Sequence, residues 1–97
     1  MHRNQRMEPI AEIIRRVLSR KGLEKGIKEA EVLGKWPQIA GTVLANHAEA
    51  VAIEKGILFL RVMDSAWRNE LSLLSEELIK KINDDFGEKR VNRIHLI

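Results

Sequence analysis

Ninety-seven residues, 44% hydrophobic and 32% charged, suffice for one domain with a modest core and are too few for two. The absence of cysteine excludes a disulfide framework and any zinc–thiolate centre, and it suits a reducing cytoplasm. The net charge of +3 is uneven: residues 1–28 hold eight Lys/Arg against three Glu, whereas the rest of the chain is net −2. An anionic partner, nucleic acid above all, is therefore expected at the N-terminal third, with a solvated basic helix face as the plain alternative.

Arg3 and Arg6 are followed by no long apolar stretch, so no secretory signal is expected. Residues 1–9 are expected to form a flexible basic arm, and residues 10–97 a single domain. No apolar run is long enough to span a bilayer, so a cytoplasmic protein without a membrane partner is expected. Pro9 suits the first turn of a helix, where its missing N–H is not needed. Ile10, Ile13, Ile14, Val17 and Leu18 recur behind it at helical spacing, with Gly22 as the stop. A second helix is expected at about residues 26–34, with Ile27, Ala30 and Leu33 inward and Gly34 at its end. A third starts at Trp36-Pro37 and reaches about Asn46, with Ile39, Val43 and Leu44 inward. Gly41 falls inside it, at a cost of about 1 kcal/mol relative to alanine, so close packing is expected there.

Lys55-Gly56 reads as a two-residue hairpin loop that pairs Glu54 with Ile57, Ile53 with Leu58 and Val51 with Leu60. That register places Val51, Ile53, Leu58, Leu60 and Val62 on a core face. Ala50, Ala52, Ile57, Phe59, Arg61 and Met63 take the other face. Asp64 and Ser65 are both suitable N-caps for a long helix reaching about Asp85. Trp67, Leu71, Leu74, Leu78, Ile79 and Ile82 form its apolar stripe, Phe86 continues it, and Gly87 caps its end. Leu73 falls almost opposite that stripe, beside Glu77 and Lys80. The last segment, Arg90 to Ile97, alternates like a strand and must return across the long helix, so it is expected to lie parallel to one hairpin strand. The fold class expected is α+β: two layers, a three-stranded sheet with helices on one face, in the order α-α-α-β-β-α-β.

Chemistry is sparse. His2, His47 and His95 show no metal-ligand spacing, the serines lack a nucleophile elbow, and no glycine-rich phosphate loop is present. No enzyme activity, cofactor or metal is expected, and His47 is expected to cap the helix it follows. Binding signals are better. Arg15, Arg16, Arg20, Lys21, Lys25 and Lys28 could contact phosphates. Phe59 beside Arg61 could stack on and neutralise a single strand, joined by Arg93 and His95 if the last strand pairs there. A chain terminus or a second subunit covering Phe59 is the other reading of that face. Trp36 and Trp67 are expected to pack in the core rather than against bases. Leu73 is a candidate partner contact, and the oligomeric state is left open.

Trp36-Pro-Gln-Ile-Ala-Gly41, then His47, then Leu60-Arg-Val-Met-Asp-Ser65-Ala-Trp67-Arg-Asn-Glu70-Leu71 resembles the DciA family over about Ile10 to Ile97. The resemblance implies a KH-like domain in a bacterial replication factor that helps place the ring-shaped replicative helicase on single-stranded DNA. It also implies no ATPase of its own. The Gly-x-x-Gly loop by which a KH module grips a nucleic-acid backbone is absent, which argues against sequence-specific RNA recognition by that route. Many relatives carry a disordered basic extension that adds to DNA binding. This chain ends at its last expected strand, so weak DNA binding is expected. A protein-interaction adaptor without nucleic-acid binding, or an RNA-binding KH-like module, stands as the alternative.

Overall fold

The computed structural model describes residues 19–97. The arm expected over residues 1–9, the helix expected from Pro9, and Arg15 and Arg16 lie outside the described residues. Within them run helices α1 (Arg20–Ala40) and α2 (Thr42–His47), strands β1 (Ala48–Glu54) and β2 (Ile57–Val62), helix α3 (Ser65–Phe86) and strand β3 (Arg93–Leu96).

The two helices expected at residues 26–34 and from Trp36 are one. Ser19 caps its start by accepting from the Gly22 N–H at 3.0 Å, so Gly22 belongs to a first turn and stops nothing. Gly34 and Pro37 lie inside α1. A proline there removes one main-chain bond at a cost of about 3 kcal/mol. Val32, Trp36 and Ile39 repay that loss, because each is buried on one stripe and contributes about 1.5–3 kcal/mol. The Trp36 indole also donates to the Ala48 carbonyl at 2.8 Å, tying α1 to the start of β1. This stripe displaces the expected inner face, and Ile27 is left exposed.

The break comes instead at Gly41, whose φ of 87° and ψ of 160° lie in a region that essentially only glycine occupies. Among the described residues nothing lies within 4 Å of where its Cβ would stand, so backbone conformation, not close packing, explains this glycine. Past the break the helical phase is reset. Val43 points to solvent rather than inward, and Leu44 is half-buried.

Lys55 and Gly56 both have positive φ (52° and 79°), as a tight two-residue hairpin turn requires. Glu54 pairs with Ile57 and Ile53 with Leu58, as expected. The register then shifts: Ala52 faces Phe59, Ala50 faces Leu60, and Val51 is the extra residue. The expected Val51–Leu60 pair therefore does not form. A bulge reverses the alternation beyond it, so Ala48 and Ala50 join Ile53 on the helix side.

Strand β3 pairs in parallel with β2, giving a mixed sheet in the order β1-β2-β3 with α3 as the crossover. Helices α1 and α3 close over one face around Leu58, Leu60, Val62, Leu71, Ile82 and Val91. Asp64 caps α3 by accepting from the N–H groups of Ala66 and Trp67, at 2.7 and 3.3 Å. At the other end the Gly87 N–H donates to Asp84 and the Glu88 N–H to Asn83, satisfying the last carbonyls. Trp36 is a core residue, as expected. Trp67 is only half-buried, and His47 stacks on it at 4.6 Å with planes 13° apart. His47 therefore packs on a ring; the main-chain cap at the end of α2 is the Ala48 N–H donating to Leu44. The described architecture is α+β, and none of its helices is long and apolar enough to cross a membrane.

Candidate nucleic-acid interface

Lys21, Lys25 and Lys28 stand one turn apart along α1, on the side facing the hairpin turn and the loop after α3. Between these elements lies a cleft of about 410 Å³, with Val32 and Ile53 as its apolar floor and Gly56 at its edge. Lys89 and Arg90 line it from the loop. Three carboxylates, Glu24, Glu29 and Glu88, share the wall with these five cations, so the cleft is net positive.

The loop is held in place by Asn83, whose side chain bonds the main chain of Arg90 and Val91. Arg90 is a bracket rather than a free cation. Its side chain is 12% exposed, and its guanidinium lies 4.4 Å over the Phe86 ring. It donates to the Lys28 carbonyl and to Glu31, both at 3.3 Å, and pairs with Glu88. Lys28 meets Glu88 at 3.3 Å. The Arg90 hydrogen bond, and then that of Lys28, hold the Glu88 carboxyl below the ordinary carboxylate range. Lys35 and Asp85, 3.5 Å apart, add a further tie between α1 and α3. Lys21, Lys25 and Lys89 form no ion pair among the described residues, which leaves them available to an anion.

The cations expected from the sequence are only partly gathered here. Arg20 pairs with Glu24 at 3.0 Å and does not line the cleft. Lys89 and Arg90 were not singled out in the sequence. Their signal was a basic pair just past the Gly87 cap, but nothing local brings them to Lys28.

A second surface lies on the face of the sheet away from the helices. The parallel register sets Arg93 beside Ile57 and His95 beside Phe59, so the condition for Arg93 and His95 to join Phe59 and Arg61 is met. The His95 and Phe59 rings meet edge to face at 5.5 Å. Arg61 pairs with Glu49 at 3.5 Å, an exposed contact of small energy. Lys21 and Lys25 thus lie in the helix-side cleft, and Phe59 and Arg61 on the opposite face. Leu73 is 73% exposed on α3. No group of three His, Cys, Asp or Glu that could hold a metal occurs among the described residues.

The model of the family "Dna[CI] antecedent, DciA" matches residues 9–96. The chain is similar to a UPF0232 protein of Mycobacterium ulcerans, 29% identical over 89 residues that cover 92% of this chain and 48% of that protein. It is similar to a UPF0232 protein of Streptomyces coelicolor, 30% identical over 86 residues, 87% of this chain and 45% of the relative. A UPF0232 protein of Rhodococcus jostii is 26% identical over 89 residues, 92% and 47% of the two chains. The chain spans about half the length of the curated relatives it matches.

Proposed function

The chain belongs to the DciA family, and from that premise we propose that it is a non-enzymatic accessory protein of DNA replication. It binds single-stranded DNA weakly and helps load or operate the replicative helicase in the cytoplasm. The supporting observation is the cleft between α1 and the loop after α3, where Lys21, Lys25 and Lys89 face one space without carboxylate partners among the described residues. Three ammonium groups around an apolar floor suit a phosphate chain. The helix–hairpin–helix–strand order, with β3 parallel to β2, supports a KH-like reading of the domain.

Mechanistically, such a domain holds a strand by charge and releases it readily. Each phosphate neutralised by a lysine frees condensed counterions, so affinity falls as salt rises. Holding DNA and helicase together raises the local concentration of one at the other. Leu73, exposed on α3, is the proposed helicase contact.

Titration of a fluorescent oligothymidylate at several salt concentrations tests the DNA half of the proposal. The expected result is micromolar or weaker binding whose logarithm falls linearly with the logarithm of salt. Replacing Lys21 and Lys25 together by Gln should lower that slope by about 1.4, at ~0.7 per single-strand phosphate contact. Binding that is absent at low salt, or indifferent to salt, contradicts it.

A further inference from the structure

We propose that the open face of the sheet is a second contact for the same strand, a base-stacking platform formed by Phe59 and His95 and flanked by Arg93 and Arg61. The inference rests on the DNA-binding reading above and names how the strand continues beyond the cleft.

The two surfaces meet at one edge. Gly56 lines the cleft, and its carbonyl accepts from the N–H groups of Asn92 and Arg93, at 2.8 and 3.3 Å. Arg93 then opens the outer row of β3, beside Ile57. From there the open face runs through the Phe59–His95 pair to Arg61. The distance from the Arg93 row to the Arg61 row is four residues of strand, about 13 Å. A strand leaving the lysines of the cleft can therefore turn over the hairpin end of the sheet and follow β2 and β3.

Charge favours this track. Arg61 and Arg93 lie on β2 and β3, whereas the carboxylates Glu49 and Glu54 lie on β1. Among the described residues Phe59 has only Ala52 opposite it on the β1 side, so no bulky strand neighbour covers the ring from there. Arg61 is held by one exposed pair at 3.5 Å and can exchange Glu49 for a phosphate. A second copy of the chain fits less well. Three short strands about 4.8 Å apart offer a few hundred Å², well under the ~800 Å² per partner of a stable interface. Single-stranded nucleic acid needs only a path, an aromatic surface and cations beside it.

The test measures affinity and salt slope for dT4, dT12 and rU12 with the parent chain, Phe59→Leu, Arg93→Gln and the Lys21→Gln/Lys25→Gln pair. Leucine keeps apolar cover at position 59 while removing the ring. Phe59→Leu should lose about tenfold in affinity for dT12 with its salt slope unchanged, because stacking on the ring adds affinity but moves no counterions. It should lose little for dT4, which is too short to occupy cleft and face together. Arg93→Gln should lower the slope. The same Phe59 effect on rU12 also supports the platform, since every base has a face to stack. If Phe59→Leu and Arg93→Gln both bind dT12 as the parent does while the lysine pair weakens binding, the platform is wrong and the cleft reading stands. If the parent binds no oligonucleotide at low salt, both fail. A Phe59-dependent dimer in sedimentation overturns the platform in favour of a second copy.

Discussion

Asn83 and Val91 exchange hydrogen bonds in both directions: the side-chain amide donates to the Val91 carbonyl at 2.8 Å, and its oxygen accepts from the Val91 N–H at 2.9 Å. The same oxygen accepts from the Arg90 N–H at 2.8 Å. One side chain thus satisfies three main-chain groups of the loop that carries Lys89 and Arg90 into the cleft. Asn83→Leu leaves those groups without their partner, at about 1–3 kcal/mol for each one that stays buried. A loss of about 3 kcal/mol in urea unfolding is predicted. Asn83→Asp keeps the acceptor and gives up only the donor, so it should cost less. Equal stability of parent and Asn83→Leu would remove the clamp from the account.

Gly34 and Gly41 should respond to alanine with opposite signs. Gly34 lies inside α1 with no described residue within 4 Å of a new Cβ, so Gly34→Ala should stabilise by about 0.5–1 kcal/mol. Gly41 has a backbone that an alanine can hold only with strain, so Gly41→Ala should destabilise by about 1–3 kcal/mol. Thermal unfolding of the two variants measures both. Destabilisation at Gly34 would mean that α1 ends there after all.

That contrast shows what the sequence could and could not convey. The hairpin turn, the Asp64 cap and the α3 stripe were legible because each depends on neighbouring residues. The length of α1 was not. Gly34 and Pro37 are local breakers, and what overrides them is the burial of Val32, Trp36 and Ile39 against elements that come later in the chain. The Val51 bulge was hidden for a similar reason: a run with no Gly or Pro in it carries no mark of an extra residue. On the open face, Phe59 and Arg61 were visible from alternation, and His95 and Arg93 followed once β3 was paired. The cleft was half visible. Lys21 and Lys25 stand in a basic run, but Lys89 joins them only through the fold.

Glu88 makes the cleft sensitive to acid. Arg90 first, and Lys28 after it, lower its carboxyl below the ordinary 4.5. A group with a depressed folded-state pKa adds stability above its unfolded value, and that stability is lost as pH falls through the folded value. The contribution is therefore complete at pH 7, begins to fall near pH 4.5 and is lost as pH drops through the lower folded-state value. Glu88→Gln should flatten this part of the acid limb in a plot of thermal midpoint against pH. An unchanged acid limb would show that the pairing does not persist in solution.

Leu73 separates partner binding from stability. At 73% exposure its replacement removes little buried surface, so Leu73→Lys should leave unfolding within about 0.5 kcal/mol of the parent. As the proposed helicase contact, the same variant should weaken helicase binding about tenfold, read by titration with the purified partner. A large fall in midpoint would place Leu73 in the core instead, and unchanged affinity would remove it from the interface.

The central claim is that this domain brings single-stranded DNA and the replicative helicase together. Size-exclusion chromatography of the purified chain with the helicase, with and without labelled oligothymidylate, tests it most directly. The account predicts that the chain co-elutes with the helicase in both runs and that the label travels in the same peak when DNA is present. Elution of the chain apart from the helicase in both runs would contradict it.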